Sequence, residues 1–211
     1  NWKLKKVGQG DIILNKISKK LHAVEQVNQS KPNPMLLEVF NNIFMSIAEQ
    51  MGVVLENTAQ SVTIKERLDF SCAVFDNNGD LIANAPHMPV HLGSMDASVK
   101  AIINKNKIIK RGDVFALNAP YDGGTHLPDI TVIKPIFNKL KDEILFFVAA
   151  RGHHTDVGGL TPGSMPPDSR VIEDEGVYID NFKLVENGVF KKTEISNLLL
   201  GTKYPVRALS K

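Results

Sequence analysis

The chain of 211 residues contains a single cysteine, Cys72, so no internal disulfide can form. A lone thiol is what a reducing compartment permits, and a cytoplasmic setting is expected. No apolar run approaches the roughly 18 residues of a membrane helix. The opening Asn1-Trp2-Lys3-Leu4-Lys5-Lys6 has no apolar stretch behind its lysines, so no secretory signal is expected. Charge of one sign is scarce as well: 25 Lys plus Arg stand against 23 Asp plus Glu, a formal +2. The small basic excess at Lys3, Lys5, Lys6, Lys16, Lys19 and Lys20 has no interleaved aromatics. A solvated face is therefore preferred to a nucleic-acid or membrane partner. Phosphate-binding glycine patterns are missing too. There is no Gly-x-x-x-x-Gly-Lys-Ser/Thr, and Gly8-Gln9-Gly10 lacks the rest of a dinucleotide fingerprint, so nucleotide binding by this chain alone is unsupported. What is present is 43% hydrophobic content. A chain of this length buries roughly 70% of its unfolded surface, enough for one or two domains without staples.

The pattern along the chain changes near residue 32. Asp11-Ile12-Ile13-Leu14 is a short strand-like piece, and Asn28 to Pro34, with two prolines among small polar residues, reads as a linker. Leu36, Val39, Phe40, Ile43, Phe44, Ile47 and Met51 then recur at spacings of three and four, predicting an amphipathic helix that Asn33-Pro34 starts and that continues past Gly52. Phe70 to Phe75 and Leu81 to Ala83 flank Asp76-Asn77-Asn78-Gly79-Asp80, the signature of a hairpin. The Pro- and His-rich run from Ala85 to Ser94 reads as a loop, with Ser94 capping a helix that carries Val99, Ala101, Ile102 and Ile103. Three strand-like runs follow, at 114–117, 130–133 and 144–150. The last is continuously apolar, as in a strand buried on both faces. A loop rich in Gly and Pro, a hairpin at Asn187-Gly188 and a helix from about Thr193 complete the chain. No internal repeat is present. The expected fold class is α+β, with helices packed on a largely antiparallel or mixed sheet.

Five of the six histidines lie between residues 87 and 154, in loop-like sequence at the ends of these strands. In Tyr121-Asp122-Gly123-Gly124-Thr125-His126-Leu127-Pro128-Asp129, His126 and Asp129 stand three apart, close enough to share one ion. In Arg151-Gly152-His153-His154-Thr155-Asp156, successive side chains leaving a strand point to opposite sides, so one of His153 and His154 can serve a given site. His126, Asp129 and one later histidine make a donor set suited to Zn²⁺, Mn²⁺ or Fe²⁺. The plainer alternative is a group of loop histidines bonding backbone carbonyls, with Asp129 capping a turn. His87 and His91 flank Pro89 and either fold over the same pocket or serve a structural turn, the second being preferred. Cys72, inside an apolar strand, reads as a packed core thiol, and Glu173, Asp174 and Glu175 as a solvated acidic edge.

Five blocks carry a family resemblance in one order: Ile64 to Cys72, Ala85 to Met95, Gly123-Gly124-Thr125-His126-Leu127-Pro128-Asp129, Gly152-His153-His154-Thr155-Asp156-Val157-Gly158-Gly159, and Pro162 to Pro167. Together they resemble the B component of hydantoinases and 5-oxoprolinases, over about residues 34 to 190. The resemblance implies an ATP-dependent amidohydrolase system that opens a small cyclic amide such as 5-oxoproline or N-methylhydantoin. It implies that ATP is bound by a hydantoinase A-like ATPase component, fused or separate, and that chains of this kind work in multisubunit assemblies. It also implies a divalent metal at His126, Asp129 and His153 or His154. Asp122 or Asp156 is expected to steer a proton or a ligand histidine. Residues 1–31 resemble instead the tail of an A component plus linker, and residues 32–211 the N-terminal part of a B-like domain, as in a piece of a fused A-B polypeptide. An acetone-carboxylase-like subunit shares the metal motif and stays open as an alternative, as does a non-catalytic scaffold for the A component.

Overall fold

The computed structural model of the chain describes residues 33–163 and 165–208 in full, and the backbone of residues 2–7 and 11–16. Two compact units separate, Asn1–Leu37 and Glu38–Lys211. In the first, β1 (Trp2–Val7) and β2 (Asp11–Lys16) form an antiparallel hairpin pairing Leu4 with Leu14. Of the linker expected over 28–34, residues 28–32 lie outside the described residues, and Pro34 already belongs to a helix.

The second unit is built on a seven-stranded sheet in which every neighbouring pair runs antiparallel. Its strands are β3 (Phe70–Asp76), β4 (Leu81–Asn84), β5 (Val114–Leu117), β6 (Asp129–Phe137), β7 (Ile144–His153), β8 (Phe182–Glu186) and β9 (Val189–Phe190), in the order β4-β3-β7-β6-β5-β8-β9. With five α-helices among the described residues, this is the α+β class expected, and the sheet is wholly antiparallel rather than mixed.

Helix α1 (Pro34–Thr58) begins where the sequence indicates: the Asn33 side chain accepts the Met35 N–H at 3.0 Å, and Pro34 takes the first helical position, where its missing N–H costs nothing. Its Phe44, Ile47, Met51 and Leu55 pack on Cys72, Val74, Phe146, Val148 and Ala150. Helix α3 (Pro89–Lys105), which follows the short α2 (Val62–Lys65), covers the opposite face. There Met95, Val99 and Ile102 meet Ala73, Phe75, Ile133, Phe147 and Ala149. Alternate residues of β3 and β7 are thus buried by different helices, which accounts for their unbroken apolar runs.

Helix α3 starts five residues earlier than Ser94. Pro89 sits at its first position after Met88, so the Pro- and His-rich run is in large part a helix entrance. His91 therefore occupies the first turn of a helix, and the Ser94 hydroxyl is free for another partner. Short helix α4 (Ile172–Glu175), the β8–β9 hairpin through Asn187-Gly188 and α5 (Lys192–Leu200) complete the unit. Among the described residues no helix is long and apolar enough to cross a membrane.

Candidate metal centre

Strand register builds the site. β6 and β7 pair Ile133 with Ala149, Thr131 with Arg151, and Asp129 with His153. Because side chains alternate, all six lie on the α3 face of the sheet. That face runs from apolar core, through a buried Arg and Thr, to a carboxylate and an imidazole at the strand ends. His154, one residue on, falls on the other side; its amide donates to the Pro128 carbonyl at 2.8 Å.

His126 arrives from the loop before β6. Gly123 ends a 3₁₀ turn (Pro120–Asp122) with φ of 87°, and a Cβ there would stand 2.4 Å from the backbone of Ala97 and Ser98. Only glycine lets the loop pass this close to α3. Buried Asn118 then fixes the loop from below, donating to the carbonyls of Leu127 at 2.8 Å and Val177 at 2.9 Å while accepting the Ile179 N–H at 2.7 Å. The turn closes with the Asp129 N–H on the His126 carbonyl at 3.0 Å.

Three donor atoms converge. Asp129 Oδ1 lies 2.9 Å from His126 Nε2 and 2.9 Å from His153 Nδ1, and the two nitrogens are 3.2 Å apart. The second carboxylate oxygen, Oδ2, accepts the Thr125 hydroxyl at 2.6 Å and faces His91 Nε2 at 3.5 Å. His91 is buried; its Nδ1 meets Ser71 Oγ at 3.3 Å, and its Nε2 also faces Asp69 Oδ1 at 3.5 Å. The His153 backbone is held on both sides, its N–H by the Asp69 carbonyl at 2.9 Å and its own carbonyl by the Thr63 hydroxyl.

Burial opposes ionisation of Asp129, but hydrogen bonds from His126, His153 and Thr125 outweigh it and hold the carboxyl well below the usual range. The hydrogen bond to Asp129 raises His153 against the effect of burial. Burial lowers His91 in spite of the nearby Asp129 and Asp69. The three converging donors open on a cleft of about 350 Å³ whose other walls include Asp69, Met88, Val90 and His91.

The donor set fits a divalent ion. Ligand atoms about 2.1 Å from a six-coordinate cation are on the order of 3 Å from one another, close to the separations found here. With both facing nitrogens unprotonated, three lone pairs point at one spot, a repulsive arrangement that a cation would relieve. An ion held by these two imidazoles and one carboxylate would still have room for water or substrate on its cleft side.

Of the residues singled out from sequence, His126, Asp129 and His153 come together and His154 does not. Asp122 pairs with Lys105 at 2.9 Å. Asp156 accepts the backbone N–H groups of Gly158, Arg207 and Ala208 and faces the Arg207 guanidinium at 3.3 Å. Neither carboxylate lines the cleft, since each is occupied in holding a loop or the 207–208 segment. His87 packs on the Phe70 ring, 4.7 Å between centroids, and accepts the Cys72 N–H through Nδ1. His91 does reach the cleft. Asp69, Thr125 and Arg151 had drawn no role from sequence; Asp69 and Thr125 lie inside the quoted blocks, and Arg151 stands just before the one that begins at Gly152.

The family model for hydantoinase B/oxoprolinase matches residues 33–210. 5-Oxoprolinase 1 of Arabidopsis thaliana is 56% identical over 164 residues, covering 77% of this chain and 13% of its own length. The beta subunit of caprolactamase from Pseudomonas jessenii is 32% identical over 169 residues, covering 80% and 29%. The crystal structure of that ATP-dependent caprolactamase superposes with a TM-score of 0.71 at 29% identity, over 83% of this chain and 30% of the other. A nucleotide-free acetone carboxylase structure reaches 0.72 at 22% identity, over 82% and 23%, a likeness of fold alone. The chain thus spans between an eighth and a third of the length of the proteins it matches. A family match across residues 33–210, together with close identity to a 5-oxoprolinase, places this chain in the hydantoinase B/oxoprolinase family.

Proposed function

We propose that this chain supplies the metal-holding part of an ATP-dependent hydrolase that opens a cyclic amide, with 5-oxoproline as the first substrate to try and N-methylhydantoin as the second. The observation that carries the reading is the convergence of His126, Asp129 and His153 on one cleft in a chain whose relatives are named 5-oxoprolinase and caprolactamase. A Zn²⁺, Mn²⁺ or Fe²⁺ ion bound there would supply Lewis acidity and an acidified water. The protein's own groups do the rest. Thr125 holds the outer oxygen of Asp129 and keeps the inner one aimed at the cleft. Asp69, partly exposed on the cleft wall, is placed to accept a proton from the attacking water and to return it to the ring nitrogen as the C–N bond breaks. Asp122 and Asp156 act on the loops and on the 207–208 segment, through Lys105 and Arg207, rather than on reacting atoms.

ATP is assigned to a hydantoinase A-like component, the partner that the name of a beta subunit among the relatives supports. Residues 1–31 are read as the tail of such a component, a reading supported by the family match beginning at residue 33 and by the separate unit Asn1–Leu37. A cytoplasmic setting suits the buried thiol of Cys72. The test is elemental analysis of the purified chain beside His126→Ala. About one equivalent of a transition metal in the first and none in the second is expected; no metal in either defeats the metal reading. ATP-dependent release of glutamate from 5-oxoproline by the chain combined with its A-like partner tests the substrate.

A further inference from the structure

One step from the triad toward the core, on the same face of β7, lies Arg151, whose side chain is fully buried. A guanidinium has five N–H hydrogens, and five acceptors surround this one. Nε donates to Thr131 Oγ1 at 2.7 Å; Nη1 donates to Ser94 Oγ at 2.6 Å and to the His91 carbonyl at 3.3 Å; Nη2 donates to Ser98 Oγ at 2.7 Å and to the Gly123 carbonyl at 3.0 Å. The Ser98 hydroxyl, accepting from Arg151, also donates to Gly123, so the network closes on itself.

None of the five acceptors carries a charge. An ion taken out of water without a contacting counter-ion is a poor device for stability alone, since apolar residues of similar volume serve as well or better. The opposing field comes from Asp129, which favours the charged form of Arg151 against the effect of burial.

The identity of the five acceptors is informative. Thr131 lies two residues after Asp129 on β6, Gly123 three residues before His126, and His91, Ser94 and Ser98 on the turns of α3 that border the cleft. Arg151 itself precedes His153 by two residues on β7. Each segment that delivers one of the three donors, and the start of α3 that delivers His91, is thus tied to one planar, rigid side chain. We propose that Arg151 is a positioning residue that sets the spacing of the His126, Asp129 and His153 donor atoms by clamping β6, the Gly123 loop and the start of α3 to β7. This rests on the metal reading above.

The test uses the 211-residue chain, Co²⁺ as the probe, and three variants. Arg151→Lys keeps a cation but cannot span five acceptors. Ser94→Ala with Ser98→Ala removes two acceptors and leaves the arginine, which covers the case in which Arg151→Lys does not fold. Asp113→Asn, at the opposite end of β5 from the site loop, controls for general loss of stability. Co²⁺ affinity and the visible ligand-field spectrum are read beside the melting temperature. The expected result is Co²⁺ binding weakened by about 10–100-fold with shifted bands in Arg151→Lys or in the serine pair, while Asp113→Asn melts earlier with affinity and spectrum unchanged. Earlier melting of the Arg151 and serine variants with Co²⁺ affinity and spectrum intact overturns the proposal. If the wild-type chain shows no Co²⁺ binding that His126→Ala abolishes, the metal reading itself has failed. Arg151 is then judged in the metal-free chain by the ring resonances of His126 and His153: shifts in Arg151→Lys absent from Asp113→Asn sustain the positioning role, and unmoved resonances refute it.

Discussion

Asp129 carries most of the geometry of the cleft with its two oxygens. One meets His126 and His153 and the other meets Thr125, so the carboxylate plane is fixed before any ligand arrives. Groups that orient a ligating carboxylate typically contribute 10–100-fold to metal affinity. Thr125→Val keeps the branched shape and deletes the hydroxyl. Titration calorimetry with Zn²⁺ or Mn²⁺ is expected to show a loss in that range, with Thr125→Ser restoring most of it; equal affinities in all three would mean that the hydroxyl does not orient the carboxylate. At this scale the sequence was informative where chemistry is local. His126 and Asp129 share a turn, and their spacing of three was legible. Asp69, His91 and Arg151 are ordinary residue types whose roles depend on what lies across the sheet. The choice of His153 over His154 depends on strand parity, and the sequence leaves that parity open while the end of the strand is undefined.

Among the elements, the ends of β5 and the β8–β9 hairpin are locked by a second buried carboxylate. Asp113 accepts N–H groups from Lys110 and Asn187, each at 3.0 Å, and the Lys183 ammonium at 3.1 Å. Burial opposes its charge, but these bonds prevail and lower its carboxyl below the usual value. The ionised form is thus favoured by folding. Its contribution is complete above the unfolded carboxyl value of about 4 and is lost as pH falls through the depressed folded value. Melts between pH 5 and pH 2 are expected to show a shallower acid dependence in Asp113→Asn than in the wild type, after a loss of about 2–4 kcal/mol near neutrality; parallel curves would remove Asp113 from the acid response. Elements were more legible than residues. The runs that became β3 and β7 are apolar without a break because α1 and α3 cover opposite faces, and Asn187-Gly188 turned as expected, with both residues at positive φ. The start of α3 was missed because Pro86, Pro89 and two histidines together look like a loop, whereas one proline at the first helical position is compatible with a helix.

For the whole molecule, the uncovered apolar residues of α1 raise a question of association. Val39, Phe40, Ile43, Val53 and Val54 are each about half exposed or more, the first three continuing, toward the start of the helix, the stripe whose Phe44, Ile47 and Met51 pack on the sheet. Exposed apolar side chains of this number promote association in water. Sedimentation of the chain at rising concentration is expected to show reversible self-association that Phe40→Glu with Val53→Glu suppresses without changing the melting temperature much. A chain that stays monomeric at high concentration would show that this surface is not adhesive.

The cleft described above has two unlike walls. One is anchored: Asp129, His126 and His153 rise from paired strands and a turn fixed by Asn118. The other includes Met88 and Val90 at the entrance of α3, which are 37% and 71% exposed; it is the Met88 backbone, not its side chain, that accepts the Ser71 hydroxyl. Under the proposed cyclic-amide reading, tolerance of ring size and ring substituents would be set by two side chains that can change while the three donor groups stay as they are. A library of variants for a new lactam would then begin at residues 88 and 90.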